Sequence, residues 1–174
     1  MKKQIHALYI TLSLLIGSMD VYSVVIDSST VNAEVGNSED KNLIELVENN
    51  PDLSTLIQLI NAAEFAANLE GTGPYTLFAP SNEAFAELPQ GTVQDLLKKE
   101  NKTKLTNLLK NHIVSGKLLT SSMNTSHVNS LAGKPLNITV RGSQVSINDA
   151  IILQPDLVGS NGVVQIIDKV ILNK

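Results

Sequence analysis

The apolar residues of this chain change period near residue 112, and no other feature limits its fold as much. Before that point they recur at helical spacing. Leu43, Ile44, Leu46 and Val47 fit one face of a short helix. Leu53, Leu56, Ile57, Ile60, Ala63 and Ala67 fit one face of a longer helix. Asn50 is placed to cap that longer helix, with Pro51 in its first turn, where a missing N–H costs nothing. Gly71 and Gly73 are expected to end it. One apolar run interrupts the helices: residues 74–79 read as a short buried strand stopped by Pro80. Ser81 or Asn82 then caps a brief helix carrying Ala84, Phe85 and Leu88. Thr92 with Asp95 resembles a capping box ahead of Val93, Leu96 and Leu97. Leu105, Leu108 and Leu109 mark a further helix running to about His112.

Beyond it, apolar and polar residues alternate through Val128 and Leu131, then Leu136, Ile138 and Val140, then Val145 and Ile147. That is the period of half-buried strands. Arg141, Gly142 and Ser143 supply a hairpin turn. Residues 150–153 and 163–172 are two more expected strands, with Asn161 and Gly162 as a turn before the last. Helices first and strands later define an α+β class. No repeat of useful length is visible, so residues 41–174 read as one copy of one domain.

Composition narrows the chemistry. The chain has no cysteine, which excludes disulfides, thiolate zinc sites and cysteine nucleophiles. Its formal net charge of -4 supplies no basic field for nucleic acid. Lys98, Lys99, Lys102, Lys104 and Lys110 cluster, but Glu100 lies among them and they read as a solvated helical face. No Gly-x-Ser-x-Gly elbow and no phosphate-binding glycine loop is present.

The N-terminus reads as an export signal. Lys2 and Lys3 precede an uncharged apolar stretch, and Val21 and Ser23 stand at the small-residue spacing of a signal peptidase site. The apolar stretch is short for a bilayer span, which needs about 20 residues. A cleaved signal peptide over residues 1–23 is expected, with an uncleaved N-terminal anchor as the rival; a second small-residue site at Val31 and Ala33 leaves the cleavage point open. Removing residues 1–23 takes Lys2, Lys3 and Asp20 and leaves the net charge negative. Residues 24–40, rich in Ser, Asn, Asp and Glu, read as a flexible leader.

Three segments resemble the fasciclin-like domain family. Thr76-Leu77-Phe78-Ala79-Pro80-Ser81-Asn82-Glu83-Ala84-Phe85 is similar to the family's strand-then-helix signature. Leu108-Leu109-Lys110-Asn111-His112-Ile113-Val114-Ser115-Gly116 is similar to its central tyrosine–histidine segment. The run from Asn161 and Gly162 through Asp168 to Leu172 is similar to its closing strand. Order and spacing fit over about residues 41–173. The resemblance implies a β-wedge or sandwich with several helices packed around it, in secreted and surface proteins tied to adhesion. Asn111 stands where the family usually has tyrosine, and Gln165 where a histidine is often found. Pro155-Asp156-Leu157 occupies the place of an Asp-Ile-type pair used by animal members, in some cases for integrin contact, and its local spacing supports a surface turn.

The candidate residues divide accordingly. His112 sits at a helix end, which favours a cation and raises its pKa slightly; its expected role is to hydrogen-bond backbone and pin the helix to the sheet. Asp168 lies in an otherwise apolar strand and is expected to act as a cap or a salt link. Phe78, Pro80, Asn161 and Gly162 join these as structural-motif residues. Asp156, Leu157, Asn82 and Glu83 are expected to touch a partner, Asp156 being accessible in a turn between Pro155 and Gly159. No cofactor and no metal site is expected. Three glycosylation sequons begin at Asn101, Asn124 and Asn137. The expected function is a non-enzymatic extracellular adhesion or matrix-binding module with a protein or polysaccharide partner. The alternative is a carrier of a small apolar ligand such as a lipid or pigment.

Overall fold

Helix α1 (Leu43–Glu48) begins in a closed capping box. The Asn42 side chain accepts from the Glu45 N–H, and the Glu45 carboxylate accepts from the Asn42 N–H. In this computed structural model residues 40–71 and 73–172 are described. The signal peptide expected over 1–23 and the leader expected over 24–40 lie outside them, Asp40 excepted.

After α1, Asn50 caps a single 3-10 turn, Pro51–Leu53, that runs directly into α2 (Ser54–Ala62). The long helix anticipated here is two helices. Glu64 takes a left-handed φ of 54°, which α-helical hydrogen bonding cannot pass through, and a separate helix, α3 (Ala66–Leu69), begins beyond it. Strand β1 (Tyr75–Pro80) follows. Helix α4 (Asn82–Ala86) is capped by the Ser81 hydroxyl, which accepts from the Ala84 N–H at 3.2 Å. Helix α5 (Thr92–Leu96) corrects a second expectation. Its N-cap is Gly91, and Asp95 bonds to Lys98 and Asn101 instead of closing a box with Thr92. Helix α6 (Lys102–Asn111) ends at His112.

Seven strands form one sheet in the order β2-β1-β7-β6-β5-β4-β3. They are β1, β2 (Ile113–Ser115), β3 (Ser126–Asn129), β4 (Pro135–Arg141), β5 (Gln144–Ile147), β6 (Ala150–Gly159) and β7 (Gly162–Ile167). Every pairing is antiparallel except β1 with β7. Strand β6 is long because it serves two partners: Ala150 and Ile151 pair with β5, and Ile152 to Gly159 pair with β7. The two ends of the sheet meet through a Val114–Ser130 bridge and a Leu131 N–H to Ile113 carbonyl bond of 2.7 Å, so the sheet nearly closes.

Near-closure produces two cores. Leu77, Ala79, Val164 and Ile166 face the helices and pack with Leu43, Leu56, Ile60, Phe65 and Leu109. Phe78 and Ile167 point the other way, into a core with Val114, Leu136, Ile138, Val145, Ile147 and Ile171. Strands β1 and β7 are therefore buried on both faces, which explains their continuous apolar runs. Strands β4 and β5 cover only the second core, which explains their alternation. Burying each such large side chain contributes about 1.5–3 kcal/mol.

The anticipated turn at Pro155-Asp156-Leu157 is a bulge inside β6. Against β7, Gln154 opposes Ile166 and Leu157 opposes Val164, so β6 holds an extra residue there. Pro155 has no N–H to give the ladder, and Asp156 takes φ 56°. The last strand also stops earlier than its apolar pattern suggests: β7 ends at Ile167, and Asp168 lies just outside it.

Candidate functional site

His112 is almost fully buried and both ring nitrogens are committed. Nδ1 lies 2.8 Å from the Leu108 carbonyl, and Nε2 accepts the Ile171 N–H at 2.9 Å. The second bond requires a bare Nε2, so the proton sits on Nδ1 and donates to Leu108. The ring thereby ties α6 to the segment after β7, where a tie to the sheet was expected, and it is the His112 carbonyl that reaches the sheet, accepting the Phe78 N–H at 2.8 Å. The direction of its pKa differs from expectation. Burial outweighs the hydrogen bond to the Leu108 carbonyl, which by itself favours the charged ring, and lowers the pKa to about 4. Next to it, Asn111 is buried, and its Oδ1 has no hydrogen-bond partner among the described residues.

Asp156 is half-buried and turned inward. Its Oδ1 accepts from the Thr120 N–H at 2.9 Å and from Gln165 Nε2 at 2.8 Å, and its Oδ2 accepts from the Thr120 hydroxyl. Gln165 returns a bond through Oε1 to the Asp156 N–H and also donates to the Leu118 carbonyl. Burial pushes this carboxyl up, but the Thr120 and Gln165 hydrogen bonds outweigh it and hold the pKa below its usual value. A signal for this cluster was present in the sequence: a lone Gln in the middle of an apolar strand needs partners. Leu157 packs against the helical core. Asp156 and Leu157 thus hold the bulge in place, and a bulge within β6 stands where a turn was anticipated.

Asn82 is likewise occupied. Its Oδ1 accepts from the Thr55 N–H and the Ser54 hydroxyl, and its Nδ2 donates to the Pro51 carbonyl. Glu83 beside it is exposed. The structure does not bring this pair into contact with Asp156 and Leu157. Asn161 joins three elements: its Oδ1 accepts from the Leu43 N–H, and its Nδ2 donates to the Leu69 carbonyl. Gly162 has no room for a side chain, since a Cβ would lie 2.1 Å from the Tyr75 carbonyl oxygen. Asp168 is a cap and not a salt link, its Oδ1 accepting the Ile151 N–H at 2.6 Å.

Two surface features remain. A groove of about 520 Å³ runs between α2, α4 and α5, lined by apolar Phe85, Leu88 and Val93 and by polar Thr55, Gln90 and Gln94. The other is the solvent face of β3–β5. Its outward positions carry His127, Asn137, Thr139, Arg141, Gln144 and Ser146. Two cavities of about 590 and 280 Å³ lie on this face and share Thr139, Asn148 and Asp149. A third of about 200 Å³ continues past Asn148 and Asp149 to Lys169 and Leu172. Asn148 turns the corner between β5 and β6 with φ 54°, and its Oδ1 accepts the Asn137 N–H at 2.9 Å. Among the described residues, Lys134 and Arg141 make no ion pair. Alternation in the sequence marks this face as solvent-exposed, but convergence of the cavities on Asn148 depends on the β5–β6 corner, which the pattern does not reveal.

No group of three metal-binding side chains occurs among the described residues. No helix among them is long and apolar enough to cross a membrane.

A near-closed sheet with helices on one flank, tied by a buried histidine and a closing strand beside the first, defines a class that comparison then identifies. The fasciclin domain model matches residues 51–173, and the chain belongs to that family. It is 39% identical to Protein sll1483 of Synechocystis sp. over 146 residues, covering 84% of this chain and 81% of that protein. It is 32% identical over 130 residues to the transforming growth factor-beta-induced protein ig-h3 of Sus scrofa, covering 74% of this chain and 19% of that one. Among solved structures it is similar to the FAS1 domain pair of the insect cell adhesion molecule fasciclin I, with a TM-score of 0.68, 14% identity, and coverage of 78% of this chain and 52% of that one.

Proposed function

We propose that this protein is an extracellular or cell-surface adhesion or matrix-binding module that does not catalyse a reaction. The observation that carries this reading is how the polar side chains are used within a fasciclin fold. The residues with chemical potential inside the fold, His112, Asp156 and Asp168, are consumed in holding backbone together. The side chains of Lys134, Arg141, Gln144 and Asp149, which hold no backbone together, lie instead on the broad outer face of β3–β5. Similarity to the FAS1 pair of a cell adhesion molecule supports the same direction. Such a surface gives modest affinity alone and gains by clustering on a cell or matrix. Exposed Glu83 on the helical side is a second contact point in this reading.

The test has two parts. Intact-mass analysis of the exported protein should give a mass starting at residue 24 or 34, and a full-length mass recovered from membranes would replace secretion with surface anchoring. Surfaces coated with the purified protein should retain cells or matrix fragments above a coat of heat-unfolded protein. Equal retention on both would remove the adhesion reading. A native mass carrying extra small-molecule weight would instead favour the carrier reading, with the groove beside Phe85 and Leu88 as its place.

A further inference from the structure

The outer face of β3–β5 differs from the rest of the molecule in charge. The whole chain is acidic, yet from Asn101 to Asn148 it contains no carboxylate, while Lys102, Lys104, Lys110, Lys117, Lys134 and Arg141 fall in that span. Two of these, Lys134 and Arg141, bracket β4 and line the cavities of the face. Lys169 lines the third cavity. Against these three cations stand Asp149, exposed among the cavities, and Asp168, whose carboxylate is already taken by Ile151. The face is therefore locally positive on a negative protein.

Between the cations lie neutral hydrogen-bonding groups. Thr139, Ser146 and Asn148 line the cavities. The Asn137 amide faces His127, which meets its Oδ1. Pro135 and Leu172 add small apolar surfaces at one end. This combination suits hydroxyl-rich rings, with Asp149 as an acceptor for a ring hydroxyl.

Spacing then selects a polymer over a small anion. Lys134, one residue before β4, and Arg141, its last residue, are seven residues apart, about 23 Å at roughly 3.3 Å per residue of extended chain. No single small anion spans that distance, whereas a chain with repeated carboxylates can meet both ends. A nucleic acid fits less well, because this face has no phenylalanine, tyrosine or tryptophan on which bases could stack.

We infer that the outer face of β3–β5 is a binding track for a uronate-bearing acidic polysaccharide, whose carboxylates pair with Lys134 and Arg141 while its hydroxyls bond to Thr139, Ser146, Asn148 and Asp149. This deepens the adhesion reading and rests on it, since it names the partner's chemistry for the same surface. Binding of this kind is screened by salt, the Debye length being about 8 Å at physiological ionic strength.

The experiment uses the exported protein and three immobilised polymers: polygalacturonate, neutral dextran and polyphosphate. Binding to polygalacturonate is expected to exceed binding to both others and to weaken as salt rises. The double variant Lys134→Gln, Arg141→Gln is expected to lose affinity about tenfold. Lys99→Gln, which removes an exposed cation on the helical side, is expected to change nothing. Both cations altered in the double variant are exposed, so the urea midpoint should be unchanged and serves as the folding control. Equal binding to dextran or polyphosphate, or an unaffected double variant, overturns the proposal. Coated-surface adhesion with the same variants separates the two readings. Cell retention that survives the double substitution leaves adhesion standing and sinks this face as its site. Polygalacturonate binding without any cell retention sinks adhesion and keeps the track.

Discussion

Acid should loosen this fold between pH 7 and pH 5, and His112 is the reason. The folded protein needs its ring neutral, because a second proton on Nε2 would point at the Ile171 N–H. Burial lowers its pKa from 6.5 to about 4, so the unfolded chain takes up the proton first. Its contribution is thus fully present above the unfolded value and lost as pH falls from 6.5 towards 4. Integrated between pH 7 and pH 5, the loss is about 2 kcal/mol. The Glu64, Asp95 and Asp156 carboxyls are all held below their usual values, so their contributions also fail in acid, but only as pH falls below the window used here. Urea unfolding at pH 7, 6 and 5 measures the effect directly, since the midpoint falls while the slope stays fixed. In His112→Gln the decline should vanish between pH 7 and pH 5. That variant is weaker at pH 7 by about 1–3 kcal/mol for each backbone group left unpaired. A wild-type midpoint flat from pH 7 to pH 5 would refute the reasoning. So would a variant that declines as steeply as wild type.

Other substitutions separate the remaining contacts, each read by urea or thermal unfolding. Asp156→Ala leaves Thr120 and Gln165 without their acceptor and keeps a positive φ that alanine tolerates poorly, for an expected loss of about 2–4 kcal/mol. Asn111→Leu removes a buried oxygen with no partner at similar volume and should raise stability by about 1 kcal/mol. Gly162→Ala forces a methyl into the Tyr75 carbonyl, so the soluble yield should collapse, and a well-folded variant would contradict the tight β1–β7 approach. Asn161→Ala should cost about 2–3 kcal/mol by orphaning the Leu43 N–H and the Leu69 carbonyl together.

Much of this architecture was legible in the chain because two periods of apolar spacing report two kinds of burial. Leu136, Ile138, Val145 and Ile147 alternate since one core lies on one side of them. Phe78 and Leu77 face opposite cores, so their neighbourhood reads as a continuous run. What stayed hidden depended on single backbone angles or on distant partners. The positive φ of Glu64, which splits the long helix, has no glycine to announce it. Pro155 and Asp156 carry turn chemistry, and only Gln165 and Thr120, remote in sequence, decide that the turn becomes a bulge. For His112 the helix-end position was visible, but the packing that drives its pKa down was not. The polar face was readable as exposed, strand by strand. Its cavities needed the Asn148 corner to bring β4 and β5 against the segment around Lys169.

The single parallel pairing has a consequence for how the chain is made. Strand β1 leaves the ribosome early, but the neighbour that covers one of its edges is β7, the last strand, with Leu77 waiting for Val164. Every antiparallel hairpin of β3–β6 can form as soon as it emerges. The central pairing cannot, and a contact between such distant positions is slow to find. The domain therefore remains open throughout most of its synthesis, and a chain cut short before residue 162 keeps β2 on one edge of β1 but leaves the other edge bare. Such a fragment would expose Leu77, Phe78 and Ala79 along an unpaired edge, which makes truncated copies prone to aggregation and ready substrates for chaperones or proteases.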